Sequence, residues 1–354
     1  MRVSCGAPDG STQSSTVDTD GGPGALSLDG LTPGTTYDLS IGGRGLALAD
    51  CRHRFTTAID PPGELLARVV TVNDAHIGEN RFGYLKTIHE RPTPEPASAE
   101  RCLRAAVRSM AAWQPDHAVF KGDIVNRGTV EEWATANEIA SSLPVATDIM
   151  LGNHEANSRH GIDPIAGAAS GGFDLSEPVR VRDLPGIRLV LADTTIRRTN
   201  QGGIAHVADA IIQAAAEADT PVMVCLHHNL QTHRFPTFFP PGIAGHHARR
   251  FLDRLADVAP ASVTVSGHTH RNRRRDHRGI PVIEVGAPKD YPGVWSGYAV
   301  HEGGIRQVSY RVDEPSCLQW TERTRWAALG LWGRWSPGVI DDRCFTHRWP
   351  AREG

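Results

Sequence analysis

Val69-Val70-Thr71-Val72-Asn73-Asp74-Ala75-His76 and Val263-Thr264-Val265-Ser266-Gly267-His268-Thr269-His270 are built alike: a short apolar run, then two metal-competent side chains one residue apart. The apolar part reads as a strand buried on both faces, and the polar part as the loop that leaves it. The same junction recurs at Gly122-Asp123 after Ala118-Val119-Phe120, and at Gly152-Asn153-His154-Glu155 after Ile149-Met150-Leu151. A fifth case is His227-His228 after Val222-Met223-Val224-Cys225-Leu226. In layered α/β folds the C-terminal ends of strands face the crevice where ligands bind, so loops far apart in sequence converge there.

Working outward, apolar runs predict strands at 66–72, 117–121, 145–150, 187–193, 221–226, 262–266 and 281–285. Helical periodicity predicts helices at 98–113, 129–142, 204–218 and 245–258, and packed α and β layers follow. Residues 156–178, rich in Gly, Ser and Ala, read as a mobile loop beside the site. Residues 1–58 carry Gly, Ser and Thr turn signals around short alternating runs, which predicts a small β segment, and 59–65 reads as a linker. The main domain is expected at 66–312. The extension 313–354 holds Trp320, Trp326, Trp332, Trp335 and Trp349. These indoles are expected to pack onto the main domain, with a dimer arm or an interfacial membrane anchor as competing readings.

Composition excludes several classes. Of 354 residues, 40% are hydrophobic and 22% charged, as in a soluble globular chain rather than a disordered one. A net charge of -3 gives no basic excess of the kind that binds nucleic acid, although residues 271–278 are a local exception that could steer anions or be a solvated loop. No apolar run spans a bilayer, and no apolar leader follows Met1, so the cytoplasm is the expected compartment. The six cysteines form no CxxC pair, and free thiols are expected, with Cys5–Cys51 and Cys317–Cys344 as the pairings an oxidising compartment would allow.

Carboxylate, imidazole and amide donors without thiolate suit Mn, Fe, Co or Zn, and their number fits two ions better than one. A single intervening residue in Asp74–His76 and His268–His270 would let both side chains of an extended segment reach one face. Glycines 122, 152 and 267 would relieve crowding where the chain turns beside the ions.

These blocks, in this order, resemble the calcineurin-like metallophosphoesterases, whose pattern is DxH, GD, GNH[DE], H and GHxH, over about residues 66–290. The resemblance implies a four-layer α/β/β/α sandwich and two divalent or mixed-valence metal ions. It places Asp74, His76, Asp123 and His270 on the first metal, and Asp123, Asn153, His227 and His268 on the second. Asp123 would bridge, one oxygen to each ion. Attack on phosphorus by a metal-bridging hydroxide would follow, with His154 protonating the leaving group. His228 is an alternative ligand or a substrate contact. Asn126, Asn73 and Arg127 are further candidates for phosphate contacts.

Residues 31–37 and 55–57 resemble the last strands of a fibronectin type III module, covering about half of one. The stretch 122–128 and Glu155 also resemble the protein serine/threonine phosphatases, but Asn126 stands where those enzymes carry an Asp that orients the catalytic histidine. Purple acid phosphatases place a Tyr ligand at this same position, so an iron–tyrosinate site is not expected. Nearest is the bacterial class III cyclic nucleotide phosphodiesterase group, although Asn229 replaces its common Pro. The resemblance therefore implies hydrolysis of a small phosphodiester such as a 3',5'-cyclic nucleotide, with a phosphomonoesterase as alternative. A silent metal-binding scaffold is the competing class, and it would be expected to have lost ligands that this chain retains.

Overall fold

The computed structural model describes residues 1–19, 21–43, 51–83, 86–92, 94–158, 161–232 and 240–351. Two six-stranded sheets form the body. One has the order Cys344–Arg348, Gly304–Arg311, Val294–His301, Leu65–Val72, His117–Lys121, Ala146–Met150. The other runs Val179–Leu184, Ile187–Ala192, Val222–Cys225, Ser262–Ser266, Ile280–Glu284, Arg273–His277. In each sheet the strands that lead into the five loops pair in parallel, with Val70 opposite Ala118, Val119 opposite Asp148, and Cys225 opposite Val265. Ile187–Ala192 and Ile280–Glu284 also pair in parallel with their inner neighbours, and the remaining pairs of the two sheets are antiparallel.

Alternation along the strands separates three apolar layers. Ala67 and Val69 face inward with Val119, meeting Leu189, Met223, Val263, Val265 and Ile283 between the two sheets. Val70 and Val72 face outward and meet Leu103, Val107 and Met110 of helix Ser98–Ala112, and Trp133 and Ile139 of helix Val130–Ser141. On the opposite outside, Ile211 of helix Ala208–Ala216 and Phe251, Leu252 and Leu255 of helix Gly245–Val258 cover Val190, Val222, Val224 and Val282. This is an α/β/β/α sandwich, and its strands read as near-continuous apolar runs because both faces of each sheet are covered.

Four N-terminal strands form one antiparallel sheet in the order Thr12–Thr16, Arg2–Gly6, Thr36–Gly42, Cys51–Thr56. The following segment is docked on the body: Gly303 N donates to Pro62 O at 2.9 Å and Glu302 N to Glu64 O at 3.1 Å, while Arg306 pairs with Asp60. Residues 271–278, read as a loop, instead include the edge strand Arg273–His277 paired with Ile280–Glu284. Charge on an edge strand obstructs pairing with another chain, which accounts for a strand without an apolar pattern. Residues 156–178 include a short helix, Pro164–Ala169, capped by Asp163. The C-terminal extension supplies an edge strand, Cys344–Arg348, and a helix, Pro315–Thr324, whose Trp320 is buried and donates to Lys289 O at 2.7 Å. Trp326 and Trp335 remain exposed. Cys5, Cys102, Cys225, Cys317 and Cys344 are free thiols. Among the described residues no helix is long and apolar enough to cross a membrane.

Leu103 is fully buried in the outer layer, whereas Val130, at the start of the neighbouring helix, is 59% exposed. Leu103→Ala is expected to lower stability by about 2–5 kcal/mol and Val130→Ala by less than about 0.5 kcal/mol, read from urea midpoints.

Candidate metal centre

The loops after Leu65–Val72, His117–Lys121, Ala146–Met150, Val222–Cys225 and Ser262–Ser266 meet at one end of the sandwich. Asp74, His76, Asp123, His268 and His270 all have positive φ, between 50° and 69°. The expectation of an extended segment is therefore corrected. Left-handed residues on either side of Ala75 and of Thr269 curl the backbone and bring the alternate side chains together. Such residues cost about 1 kcal/mol each, less for Asp and His than for branched side chains. Backbone contacts hold the curl: Asp74 N donates to Gly122 O at 3.0 Å, and His76 N to Asp123 O at 2.9 Å. Gly122 lies at φ 81°, and a Cβ there would sit 2.7 Å from Gly152 N and from His227 Nδ1.

The candidate donors fall into two groups. In one, His76 Nε2 lies 3.3 Å from His270 Nε2, 3.9 Å from Asp74 Oδ1 and 3.8 Å from Asp123 Oδ2, and His270 Nε2 is 3.4 Å from Asp74 Oδ1. In the other, His227 Nε2 lies 3.3 Å from Asp123 Oδ2 and 3.2 Å from Asn153 Oδ1, with the His268 ring 5.2 Å from that of His227. Donors about 2.0–2.2 Å from a shared cation stand at such separations. Asp123 belongs to both groups through Oδ2. Its Oδ1 accepts the His154 N–H at 2.8 Å, so Oδ2 is the oxygen common to the two donor groups, where one oxygen toward each ion was expected.

Asp74 is divided the same way. Its Oδ2 accepts from His268 N at 2.8 Å and Asn73 Nδ2 at 2.6 Å, while its buried Oδ1 has no hydrogen-bond partner among the described residues. His268 Nδ1 and His228 Nε2 are likewise buried without a partner. Orphaned buried acceptors of this kind, with only oxygen and nitrogen donors around them, fit a pair of divalent ions.

Neighbours aim the imidazoles. His270 Nδ1 is 2.7 Å from Asp290 Oδ2, and His227 Nδ1 donates to Lys121 O at 2.8 Å, which turns both Nε2 atoms inward. Glu155 is fully buried and accepts four backbone N–H groups: Ile124 at 2.6 Å and Val125 at 3.0 Å on Oε1, Asp123 at 2.9 Å and Gly152 at 2.7 Å on Oε2. Lys121 Nζ donates to Asn73 Oδ1 at 2.8 Å and to Ser266 O at 3.1 Å. Asp290 and Lys121 carry no motif, and their roles appear only through convergence.

Asn73 is corrected as a phosphate contact: it is 1% exposed, and its amide is spent on Asp74 Oδ2, Val285 O and Gly286 O. His154 Nδ1 lies 3.1 Å from Asn126 O, so the backbone of Asn126 orients this ring where a carboxylate side chain was missed. The His154 ring stands edge-on to His76 with centroids 4.3 Å apart. The Arg127 side chain is exposed, and its backbone N–H is the group engaged, donating to Glu132 Oε2 at 2.6 Å. His228 is buried, with Nδ1 2.8 Å from Thr194 Oγ1 and its ring 4.6 Å from that of His268. Of the loop 229–245, residues 233–239 lie outside the described residues.

Charge balance in the metal-free protein follows from these distances. Burial alone would lower His270, but the Asp290 and Asp74 carboxylates carry its pKa up to about 10. Burial likewise opposes His227, and Asp123 carries it up to about 9. His268 goes the other way, to about 3, through burial and the neighbouring His227 charge. Burial and the Asp123 charge push Glu155 up to about 7, opposed by its N–H donors. Without cations, protons on His227 and His270 balance the carboxylates.

Residues 67–272 match the family model described as calcineurin-like phosphoesterase. The chain belongs to the calcineurin-like phosphoesterase family, and is a metal-dependent phosphoester hydrolase whose clustered His and Asp side chains suggest a dinuclear divalent site. Its fold is similar to that of a purple acid phosphatase from yellow lupin (Lupinus luteus) seeds, at 15% identity and TM-score 0.51, over 89% of this chain and 67% of that one. It is also similar to a dimetal phosphatase from Danio rerio, at 14% identity and TM-score 0.53, over 71% of this chain and 98% of that one. No curated protein matches the sequence significantly.

Two outcomes are expected here. A ligating imidazole must be neutral, and both His227 and His270 are held above pH 7.5 as protonated groups, so Mn loading of the metal-free protein at that pH should release about two protons. Calorimetry in buffers of different ionisation enthalpy measures this, and uptake with no release would remove both from the ligand set. Glu155→Ala should strip the acceptor from four buried N–H groups and cost about 3 kcal/mol or more, read by chelator-treated thermal unfolding.

Proposed function

We propose that the protein hydrolyses small phosphodiesters, 3',5'-cyclic nucleotides among them, at a dinuclear centre in a cytoplasmic setting. The carrying observation is the sharing of Asp123 Oδ2 by two donor groups, with His154 beside them. Asp74, His76, Asp123 and His270 would hold one ion, and Asp123, Asn153, His227 and His268 the other. Two bound divalent ions of the Mn, Fe, Co or Zn type supply Lewis acidity at phosphorus and lower the pKa of water.

The protein's own residues then do the rest. The Asn126 carbonyl accepts a hydrogen bond from Nδ1–H of His154, so the ring's second nitrogen, Nε2, is the atom available to the leaving group. Acting as the acid, the ring carries a second proton on Nε2; as water adds to phosphorus and the ester P–O bond breaks, that proton passes to the departing oxygen, and the proton released by the added water restores the ring. A diester is favoured by charge. Two nearby buried cations are spent elsewhere, Lys121 on Asn73 and Ser266 O, Lys289 on Glu79 at 3.0 Å and Asp290 at 3.4 Å. A monoester dianion brings an additional charge that neither lysine is free to meet, and the buried guanidinium of Arg271 is stacked on Trp335 at 4.5 Å.

The test compares bis-p-nitrophenyl phosphate with p-nitrophenyl phosphate, with and without Mn. The diester should be the better substrate. His154→Ala should lower kcat about 10²–10⁴-fold while metal content is retained, and Asp123→Ala should lose both metal and activity. Preference for the monoester would replace the diester reading. Full metal occupancy without turnover of either ester would leave only a metal-binding scaffold.

A further inference from the structure

Among the described residues, six of the thirteen exposed large apolar side chains fall within residues 326–340, so the exposure is a patch and not ordinary scatter. At its tip Leu329 is 101% exposed, flanked by Trp326 at 65%, Leu331 at 62% and Trp335 at 52%. Ala328 and Leu329 both lie in the left-handed region, at φ 51°, ψ 47° and φ 57°, ψ 35°. The backbone thus adopts an unfavourable conformation that holds a leucine entirely in water. Arg323, Arg325 and Arg334 flank the tip; Arg323 donates to His89 O at 2.6 Å, one nitrogen of Arg325 pairs with Glu322 at 3.0 Å, and residues 323–334 themselves contain no acid. Between Arg325 and Arg334 the same residues line a hollow of about 360 Å³.

The patch borders the metal centre. Trp332 packs on Phe82 with centroids 5.5 Å apart, Lys289 Nζ sits 5.2 Å from the Phe82 ring, and Lys289 pairs with Asp290, which holds His270. On the other side Trp335 covers the guanidinium of Arg271, the residue after His270, at 4.5 Å.

We propose that residues 325–335 dock the protein on an anionic membrane surface. Leu329 and Leu331 enter the boundary between headgroups and acyl chains, Trp326 and Trp335 lie at headgroup level, and Arg325 and Arg334 meet lipid phosphates, one of which the hollow between them can seat. A convex tip suits this occupant better than a second copy of the chain. A stable protein interface needs about 800 Å² per partner of matched surface, whereas a fluid bilayer closes around a protruding side chain without a matching shape. The docked orientation sets the mouth of the metal centre at the lipid surface. Docking itself requires no turnover and is tested without it.

The experiment is co-sedimentation of the full chain with vesicles of phosphatidylglycerol and phosphatidylcholine at one to three, against pure phosphatidylcholine vesicles. Binding to the anionic vesicles is expected, weaker by about 10-fold on the neutral ones or in high salt. Leu329→Ser/Leu331→Ser should weaken it about 10-fold, and Arg334→Glu should do so only on the anionic vesicles. Far-UV circular dichroism and the thermal unfolding midpoint should be unchanged in both variants, which reports an intact fold. No sedimentation with either vesicle, or binding indifferent to both variants, would overturn the proposal. A concentration-dependent dimer in sedimentation equilibrium, abolished by the leucine variant, would overturn it in favour of a second copy.

Discussion

One carboxylate, Glu155, accepts backbone N–H groups from both the Gly122 loop and the Gly152 loop, and the geometry of the centre hangs on that contact. Neither loop could satisfy these donors itself, because the chain turns away from its strand and leaves the sheet ladder behind. With Glu155 between them, Asp123 and Asn153 are held side by side. The backbone N–H of His154 then falls on Asp123 Oδ1, which decides the oxygen left facing the donors. A single buried acceptor thereby determines the position of the shared ligand and the approach of the candidate acid.

The same economy recurs at each polar group. Asp74 is tethered by Oδ2 and presents Oδ1; Asp123 is tethered by Oδ1 and presents Oδ2; His227 and His270 are tethered by Nδ1 and present Nε2. Each side chain has one atom anchored in protein and one directed inward, so little rotamer freedom remains to be lost when cations arrive. The mutual repulsion of Asp74 and Asp123 is relieved in the metal-free protein by protons on the adjoining imidazoles together with the N–H groups that tether each carboxylate.

Sequence made the sandwich legible where both faces of a strand are covered. Strands such as His117–Lys121 and Ser262–Ser266 are buried at all five positions and carry mostly apolar residues between their ends, and they were expected at those positions. Edge strands carry no such requirement. Arg273–His277 has five consecutive residues that are all charged or titratable, and nothing in its pattern separates it from a loop. Of the site, the side chains that recur in strand-end blocks were legible, and the structure brings all of them together. Their supports were not: Asp290 lies in an unremarkable loop, and Lys121 reads as the end of a strand. Asn73 misled for the related reason that sequence does not say whether an amide beside a ligand faces outward or, as here, the carbonyls of residues 285 and 286. The extended reading of Asp74–His76 failed because spacing reports which side chains can meet without reporting the backbone path between them.

That path limits how the protein can be made more robust. With five left-handed non-glycine residues in the centre, each at up to about 1 kcal/mol, the strain is a sizeable fraction of the net stability of a typical domain, about 5–15 kcal/mol. Glycine would relax any of these positions and remove a donor; proline, with its φ fixed near −65°, fits none of them. Attempts at thermostabilisation must therefore leave these five positions alone and draw their gains from the outer helices or the N-terminal sheet. A protein selected for heat resistance without selection for turnover would be expected to drift first at Asp74, His76, Asp123, His268 and His270.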